Sequence, residues 1–261
     1  WYLFTSRWWM DSKINKFYSQ HEDEYLEKII ENFSSQPSPK IKLEEIIKIV
    51  KENYHNKYIK INWTSITHLR KWDFINAAIK KLNKKNIEYL EIGVFRNENF
   101  DLINCESKIS VDPDPESKAT FKTTSDEFFS KNKKKFDVIF IDGLHEYLQC
   151  QKDTINALNC LNKNGYIFFH DFVPRNFLEE YNPRIVNLWT GDVWKVSIEL
   201  SQSSGLDFSV ILADCGLGML IKKSNNFNYK YLNDSLKDLG FKEFLNLNKT
   251  VCYKDADEAY K

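Results

Sequence analysis

Four ionisable side chains in two short motifs are the residues best suited to chemistry in this sequence. Asp142 and His145 lie in the motif DGLH, and His170 and Asp171 form the motif HD. Each motif directly follows an apolar run of the kind that forms a buried strand. Because ligands of open α/β sheets bind where the strands end, we expect these four side chains to converge at that edge. Acids and imidazoles placed together stabilise a fold poorly and indicate a functional site.

Alternating strands and helices from residue 87 onward must position these motifs. The predicted elements are, in chain order, strands Ile87–Val94, Lys108–Val111 and Phe136–Ile141, helix Tyr147–Leu161 and strand Tyr166–Phe169. Helices of this length between strands imply parallel pairing through right-handed crossovers. Strands Phe208–Ala213 and Gly218–Ile221 have only a four-residue connection, so they must pair antiparallel as a hairpin. The pattern predicts a doubly wound α/β sheet that ends in this hairpin.

The segment after the first predicted strand, EIGVFRNENF, looks like a nucleotide-binding turn with a single glycine, Gly93. Loops that cradle a pyrophosphate usually carry two or three glycines, so the loop counts against NAD. Asn97 stands where such loops commonly have glycine, and asparagine tolerates a left-handed backbone better than other residues with a side chain.

Polar residues also follow the next predicted elements. Asp112 comes about 20 residues after the first loop, where an acid can accept hydrogen bonds from ribose hydroxyls; a turn-stabilising role before Pro113 is the alternative. Ser125 and Asp126 begin a predicted helix beside the expected place of an adenine, although Asp126 also suits a plain helix N-cap.

Composition excludes several classes of protein. The 261 residues include 37 basic and 37 acidic side chains, which argues against a nucleic-acid binder with a broad basic face. The densest basic run, KNKKK at 131–135, is predicted to be a solvated turn rather than a binding patch. No apolar run reaches the roughly 20 residues needed to span a bilayer. Five scattered cysteines favour reduced thiols and a cytoplasmic protein.

Three regions are predicted along the chain. Residues 1–65 form a helical N-terminal extension, with helices at Glu22–Phe33 and Ile41–Tyr54 and a Ser/Pro-rich linker at 34–39 between them. A further helix, Ile66–Leu82, leads into the α/β region, which extends over 66–223. Residues 224–261 are predicted to form a C-terminal helical tail.

Five segments read together resemble the class I S-adenosylmethionine-dependent methyltransferases. They are EIGVFRNENF, SVDPDP, TSDEFF, FDVIFIDGLHEY and LNKNGYIFFHDF, and GDVWK at 191–195 adds to them. The resemblance covers roughly Leu69–Lys223 and is closest to the small-molecule and glycan-modifying group called methyltransferase family 24. It implies a Rossmann-like seven-stranded sheet of order 3-2-1-4-5-7-6, with the last strand antiparallel.

The resemblance also implies a cofactor and its contacts. S-adenosylmethionine has no pyrophosphate, so a single glycine in the first loop does not count against it. Residues implied to contact this cofactor are Glu91, Gly93, Asn97, Asn99, Asp112, Ser125, Asp126 and Asp142. Within this set, Glu91 and Gly93 would lie beside the methionine part, Asp112 at the ribose, and Ser125 and Asp126 at the adenine.

Related metal-dependent O-methyltransferases place Mg²⁺ ligands where this chain has Asp142, His170 and Asp171. Carboxylates suit a hard dication, whereas imidazole is a less usual Mg²⁺ ligand, so an indirect role that supports a ligand is the alternative for His170. The predicted ion is Mg²⁺ or another divalent cation. The predicted catalytic residues are His145, Asp142 and His170. Of these, His145 is the best candidate general base, because imidazole titrates near neutral pH; a structural or cofactor-orienting role is its alternative.

The acceptor follows only from the resemblance, which favours a saccharide or related polyol hydroxyl. Trp63, Trp72, Trp189 and Trp194 could offer aromatic faces to a sugar, or could belong to the core. Asp192 and Lys195 are candidates for reaching an acceptor hydroxyl, with a helix N-cap as the alternative for Asp192.

Other functions stay open at this point. They are a non-catalytic S-adenosylmethionine-binding or scaffold domain of a larger glycan-assembly protein, an NAD-dependent oxidoreductase and, disfavoured by the zero net charge, an RNA methyltransferase. A homo-oligomer is compatible with any of them.

Overall fold

The computed structural model describes residues 68–175, 177–184 and 189–261. The predicted N-terminal extension, with its two helices and Ser/Pro-rich linker, and the beginning of the predicted helix at 66–82 lie outside the described residues. Within them, that helix begins at Lys71.

One mixed sheet of seven strands forms the centre of the described structure. The strands are β1 (Glu88–Ile92), β2 (Ser107–Val111), β3 (Phe136–Ile141), β4 (Leu161–Phe169), β5 (Leu206–Ile211), β6 (Leu217–Lys222) and β7 (Tyr253–Lys254). Their order is β2-β1-β3-β4-β6-β5-β7. Strands β2, β1, β3 and β4 pair in parallel, and β6 is antiparallel to both β4 and β5. The predicted doubly wound sheet with its terminal hairpin is therefore confirmed.

The two edges of the sheet differ from the strand order that the resemblance implied. Beside β2, where the family order has a third strand, the chain forms a single bridge between Val111 and Phe121. There Ser110 N donates to Thr120 Oγ1 over 3.2 Å, so a side chain takes the place of a backbone ladder partner. At the opposite edge, the two-residue strand β7 pairs in parallel with β5.

Eight α-helices accompany the sheet in the described residues. They are α1 (Lys71–Leu82), α2 (Ser125–Lys131), α3 (Tyr147–Cys160), α4 (Phe177–Glu180), α5 (Trp194–Ser201), α6 (Asn233–Leu236), α7 (Phe241–Leu247) and α8 (Ala256–Tyr260). The basic run at 131–135 lies at the end of α2 and beyond, with its four lysines exposed as predicted. No helix of the described part has the length and apolarity that a membrane crossing needs.

Helix α3 ends one residue earlier than predicted, because β4 begins at Leu161. The buried Lys222 ammonium donates to the carbonyls of Leu158 and Leu161 over 2.8 and 2.9 Å, which satisfies two groups at this helix end. Asn164-Gly165, a pair typical of the end of a helix, lies inside β4, and Asn164 has a φ of 64°.

Both faces of the sheet are buried, which explains why its strands are continuously apolar. Alternate residues of β3 belong to two separate cores, Ile139 to one and Phe140 to the other. Helices α3 and α5 contribute to the first core, and α1 packs in the second through Phe74 and Ile75. The layers cover both sheet faces, so ligands reach the sheet at its strand ends.

Candidate active site

A cleft of about 710 Å³ lies at the carboxyl ends of β1, β2 and β3. Of the residues predicted to bind the cofactor or act in catalysis, those on its wall are Glu91, Gly93, Asn99, Asp112, Ser125, Asp126, Asp142 and His145. Asn97, His170 and Asp171 do not line this cleft. The predicted convergence at one sheet edge is therefore observed for most of the set.

Gly93 brings the loops after β1 and β3 together. Its φ is 82°, and a Cβ placed on it would lie 2.0 Å from the carbonyl oxygen of Asp142. The close contact that requires glycine at position 93 is thus a contact with the protein backbone. Asp142 N also donates to Ile92 O over 2.8 Å, which joins the same two loops.

Asn97 has a φ of 65°, the left-handed conformation predicted for it. Its side chain is buried, and Nδ2 lies 3.4 Å from the carbonyl oxygen of Lys118, behind the cleft wall. Its role in the loop is therefore conformational. Direct contact with a cofactor stays a prediction that this placement does not favour.

Glu91 lies in the wall of the cleft, and two nearby side chains donate hydrogen bonds to the same carboxylate oxygen. Tyr89 Oη and Asn99 Nδ2 donate to Glu91 Oε2 over 2.5 and 2.8 Å. Burial raises the pKa of Glu91 to about 7, against the opposing effect of these hydrogen bonds. The carboxyl group therefore changes charge near neutral pH.

Asp112 holds the first loop from the end of β2. Its Oδ2 accepts hydrogen bonds from the backbone amides of Val94 and Phe95 over 3.0 and 2.8 Å, and Oδ1 accepts one from Asp114 N over 2.9 Å. The carboxylate thus fixes the loop that lines the cleft while itself facing that cleft.

Ser125 and Asp126 line the far end of the cleft, but neither is the N-cap of α2. Thr124 is the N-cap, and its hydroxyl accepts a hydrogen bond from Glu127 N over 3.2 Å. The proposed N-cap role of Asp126 is therefore wrong. Gln149 Nε2 lies 3.2 Å from Ser125 Oγ and 3.4 Å from Asp126 Oδ1, which ties both to α3.

Asp142 is at the centre of a buried charge cluster. Its Oδ2 pairs with the ammonium of Lys71 over 2.8 Å, and its Oδ1 lies 3.3 Å from His170 Nδ1. Burial alone would raise the pKa of Asp142, but the charges of Lys71 and His170 hold it well below its usual value. Burial would lower the pKa of Lys71, yet Asp142, Asp214 and Asp171 raise it. The pair is ionised across the neutral pH range.

His145 is oriented by a backbone carbonyl and an aromatic ring. Its Nδ1 lies 2.8 Å from Trp189 O, and the two rings stack with centroids 5.2 Å apart. Because a carbonyl only accepts, Nδ1 carries a proton and Nε2 is the basic nitrogen of the neutral ring. Nε2 lies 3.5 Å from both Asp142 and Asp171. Burial would lower the pKa of His145, but these carboxylates raise it.

Asp142, His170 and Asp171 offer three donor atoms that lie within 4.8 Å of one another. His170 Nδ1 lies 3.0 Å from Asp171 Oδ2, while the buried Nε2 has no hydrogen-bond partner and is 3.8 Å from Asp214 Oδ2. Two carboxylates and one imidazole at this spacing fit a single divalent cation.

Lys71 and Asp214 are the site residues that sequence reasoning missed. Lys71 begins α1, and its backbone N lies 3.3 Å from Asp214 Oδ2. Asp214 lies in the β5–β6 turn, where Asp214, Cys215 and Gly216 have φ values of 45°, 67° and 86°. The short turn that contains Asp214 was recognisable in the sequence, whereas Lys71 stands in no recognisable motif.

The predicted acceptor contacts in GDVWK are structural instead. Asp192 Oδ1 accepts a hydrogen bond from Tyr147 N over 2.7 Å and so caps α3, whereas its own helix begins after Val193. Lys195 is buried and pairs with Asp192 Oδ2 over 2.8 Å. Trp194 is fully buried, and Trp72 packs against the second core. Trp189 stacks on the site residue His145, and Trp63 lies outside the described residues.

Comparison with known proteins gives one family match. Residues 48–172 match the family model described as a methyltransferase domain, which covers just under half of the chain. The chain matches no curated protein sequence.

Several solved structures are similar at low sequence identity. A putative O-methyltransferase from Klebsiella pneumoniae is 12% identical, with a TM-score of 0.44 over 77% of this chain and 96% of that chain. A Podospora anserina methyltransferase bound to SAH is 14% identical, with a TM-score of 0.45 over 72% and 100%. An O-methyltransferase from Bacillus cereus in complex with SAH is 13% identical, with a TM-score of 0.40 over 77% and 96%.

The family match includes β1 to β4 and the loops that carry Glu91, Asp112, Asp142 and His170. Strands β2, β1, β3, β4, β6 and β5 follow the order that the resemblance implied, whereas a bridge stands in place of its third strand and β7 is added at the opposite edge. Residues 48–172 are therefore similar to a methyltransferase domain.

Proposed function

We propose that this protein transfers a methyl group from S-adenosylmethionine to a hydroxyl of a sugar or related polyol. The charge of the cleft carries the proposal. Its wall has six carboxyl groups, from Glu91, Glu98, Asp112, Asp126, Asp142 and Asp153, and three basic side chains, from Lys71, Arg96 and Arg184. An acidic cleft attracts the sulfonium and ammonium groups of S-adenosylmethionine and repels the pyrophosphate of NAD.

The positions of the wall residues along the cleft support a binding place for each part of the donor. Glu91 and Asn99 lie beside the first loop, where the methionine part would bind. Asp112 follows β2 and would accept hydrogen bonds from the ribose hydroxyls. Ser125 and Asp126 lie at the far end, as expected for residues that face the adenine. In this arrangement the residues that would surround the sulfonium methyl group are Glu91, Asp142 and His145.

His145 is the general base in this proposal. Its Nδ1 proton is held by Trp189 O, which leaves Nε2 to take the proton of the acceptor hydroxyl. The carboxylates of Asp142 and Asp171, each 3.5 Å from Nε2, would stabilise the imidazolium that forms. Asp142 would therefore orient the base and stabilise its positive charge, and Lys71 would keep Asp142 ionised.

An ion held by Asp142, His170 and Asp171 would add to this chemistry. A dication bound there lowers the pKa of a coordinated hydroxyl and so eases its deprotonation. His170 belongs to this ion site rather than to the proton pathway, since it is absent from the wall of the cleft.

Exposed apolar groups at the cleft suit a saccharide acceptor. Phe95 and Leu144 line the cleft with 57% and 51% of their surfaces exposed, although both are large hydrophobic side chains. Such surfaces pack against the C–H faces of a sugar ring.

None of the five cysteines, all of which lie in the described residues, forms a disulfide. Their reduced state favours a reaction in the reducing cytoplasm.

Thermal unfolding with S-adenosylmethionine, S-adenosylhomocysteine or NAD, each with and without EDTA, tests the donor. We expect both methyl-donor compounds to raise the unfolding temperature and NAD to leave it unchanged. Stabilisation by NAD alone would contradict the proposal. Transfer of a radiolabelled methyl group to a panel of saccharides, nucleotide sugars and catechols would then test the acceptor class.

A further inference from the structure

His170 has one buried nitrogen on each side of its ring, and each faces a different carboxylate group. Nδ1 lies 3.0 Å from Asp171 and 3.3 Å from Asp142. Nε2 is buried without a hydrogen-bond partner and points toward Asp214, whose Oδ2 is 3.8 Å away. A small approach of these two groups would complete a hydrogen bond from Nε2–H to Asp214.

Asp214 is brought to this position by an unusual turn. Its side chain is 3% exposed, and its backbone is left-handed, as are those of Cys215 and Gly216. A left-handed residue with a side chain costs about 1 kcal/mol or more, and such conformations cluster at functional sites. The backbone N of Lys71 donates to Asp214 Oδ2 over 3.3 Å and fixes the carboxylate from the other side.

The charges around His170 leave room for one dication. Asp142, Asp171 and Asp214 contribute three negative charges, and Lys71 contributes one positive charge. A bound ion would displace any proton from His170 Nδ1, because a ligating imidazole must be neutral, and with His145 also neutral the cluster would then carry two uncompensated negative charges. Lys71 already pairs with Asp142 Oδ2, so the atoms that remain for an ion are Asp142 Oδ1, Asp171 Oδ2 and His170 Nδ1, which contact one another.

We propose that His170, held from behind by Asp214, makes this site select a transition-metal dication such as Mn²⁺ over Mg²⁺. The inference rests on the proposed function, in which an ion binds among Asp142, His170 and Asp171. Imidazole suits transition metals, whereas Mg²⁺ prefers an all-oxygen set that retains several waters. A metal-bound histidine almost always donates its second N–H to a carboxylate or carbonyl, and Asp214, whose Oδ2 is 3.8 Å from Nε2, is the carboxylate placed to accept it.

Calorimetric titration of the EDTA-treated full chain with MnCl₂ and with MgCl₂ tests the proposal. We expect the wild type to bind Mn²⁺ more tightly than Mg²⁺. In His170→Asp, an oxygen ligand replaces the imidazole, and the preference for Mn²⁺ should fall. Asp214→Asn should lose about 10–100-fold in Mn²⁺ affinity, as expected when an outer partner of a ligand is removed.

His145→Asn is the matched control, because it removes the neighbouring imidazole that lies outside the group of three donors. It should keep the ratio of Mn²⁺ to Mg²⁺ affinity. Equal binding of the two ions by the wild type, an unchanged ratio in His170→Asp, or no ion binding at all would overturn the proposal.

S-adenosylhomocysteine titrated into the same samples separates this inference from the proposed function. Binding of S-adenosylhomocysteine without ion binding overturns the ion preference and leaves methyl transfer standing. Failure of the wild type to bind S-adenosylhomocysteine contradicts the proposed function itself, whatever the ions do. Thermal unfolding of each variant without ligand shows whether it is folded. If Asp214→Asn does not fold, His170→Asp still tests the ion preference.

Discussion

The described structure buries two clusters of ionisable side chains, one around Glu199 and one around Asp142, and they differ in how their hydrogen bonds are completed. Glu199 is fully buried and accepts hydrogen bonds from Tyr147 Oη, Tyr229 Oη, Gln151 Nε2 and Leu232 N over 2.6–2.9 Å. Every one of these donors is neutral.

The cluster around Asp142 has the opposite character. Its partners, Lys71, His145 and His170, are cationic or become so on protonation, and its contacts range from 2.8 to 3.5 Å. One buried nitrogen, His170 Nε2, has no partner. Complete hydrogen bonding by neutral donors stabilises a fold, whereas ionisable groups left partly satisfied beside a cleft are typical of a reaction site. The two clusters therefore separate stability from chemistry.

Replacing Glu199 gives the largest expected effect, and it falls on stability. Glu199→Ala leaves the hydroxyls of Tyr147 and Tyr229 and the backbone N–H of Leu232 without their acceptor, whereas Gln151 Nε2 keeps Asn233 Oδ1. Each buried donor left unsatisfied costs about 1–3 kcal/mol, so the free energy of unfolding should fall by at least about 3 kcal/mol. Urea denaturation measures it. The exposed Glu127→Ala is the control and should leave the free energy of unfolding nearly unchanged. A small loss in Glu199→Ala would remove the distinction between the clusters.

Replacing His145 should have the opposite balance of effects, with a large loss of activity and a small loss of stability. His145→Asn removes the proposed base and should lower the turnover number by about 10²–10⁴-fold. It loses one hydrogen bond to Trp189 O, so the free energy of unfolding should fall by only about 0.5–1.5 kcal/mol. Single-turnover methyl transfer and urea denaturation of the same preparation measure both quantities. Unchanged turnover would exclude His145 as the base.

Gly93→Ala sharpens the comparison, because this residue connects the cofactor loop to the Asp142 loop. The added methyl group would collide with Asp142 O, and the left-handed backbone adds strain, together costing about 1–3 kcal/mol. Affinity for S-adenosylhomocysteine should fall as well. Gly143→Ala is the matched control, since its Cβ would lie no closer than 3.4 Å to a neighbouring atom. Equal effects of the two changes would show that the contact is unimportant.

Asn97 provides a smaller and purely conformational test. Asn97→Gly should keep the free energy of unfolding within a few tenths of a kcal/mol, because glycine adopts its φ of 65° freely. Asn97→Ala should cost about 1 kcal/mol more. Thermal unfolding of the two variants measures the difference, and equal stabilities would show that the left-handed turn is not required.

Glu91 gives the smallest expected effect, on the pH dependence of donor binding. Its pKa is raised to about 7, so the carboxyl group is neutral below that pH and negative above it. Affinity for the cationic donor should therefore increase by about 1 kcal/mol as the pH rises through 7, because a hydrogen bond or ion pair to a charged acceptor is the stronger one. Calorimetry at several pH values measures the slope, and Glu91→Gln should abolish it. A slope that persists in Glu91→Gln would assign it to another group.

The sequence predicted the features that depend on short segments. Each apolar strand and the polar residues at its end are adjacent in the chain, so the convergence of Asp142, His145, His170 and Asp171 follows from parallel pairing alone. The left-handed Asn97 is predictable for the same reason.

Features that depend on distant contacts were missed. Lys71 meets Asp142 across 71 positions and Asp214 across 143 positions, and neither contact has a local signal. The replacement of a third strand by one bridge depends on the hydroxyls of Ser110 and Thr120, which mark no strand boundary by themselves. Asp192 caps a helix 45 residues away instead of its own, which local capping rules do not anticipate.

The central claim is that the acidic cleft binds a methyl donor, and calorimetric titration of S-adenosylhomocysteine into wild type and Asp112→Ala tests it most directly. Asp112 holds the first loop and faces the cleft, where we propose that it accepts hydrogen bonds from the ribose hydroxyls; losing these charged hydrogen bonds should cost about 1.5–3 kcal/mol of binding free energy. We expect one-to-one binding by the wild type and affinity weakened by that amount in the variant. No binding by the wild type, or equal binding by both proteins, would contradict the account.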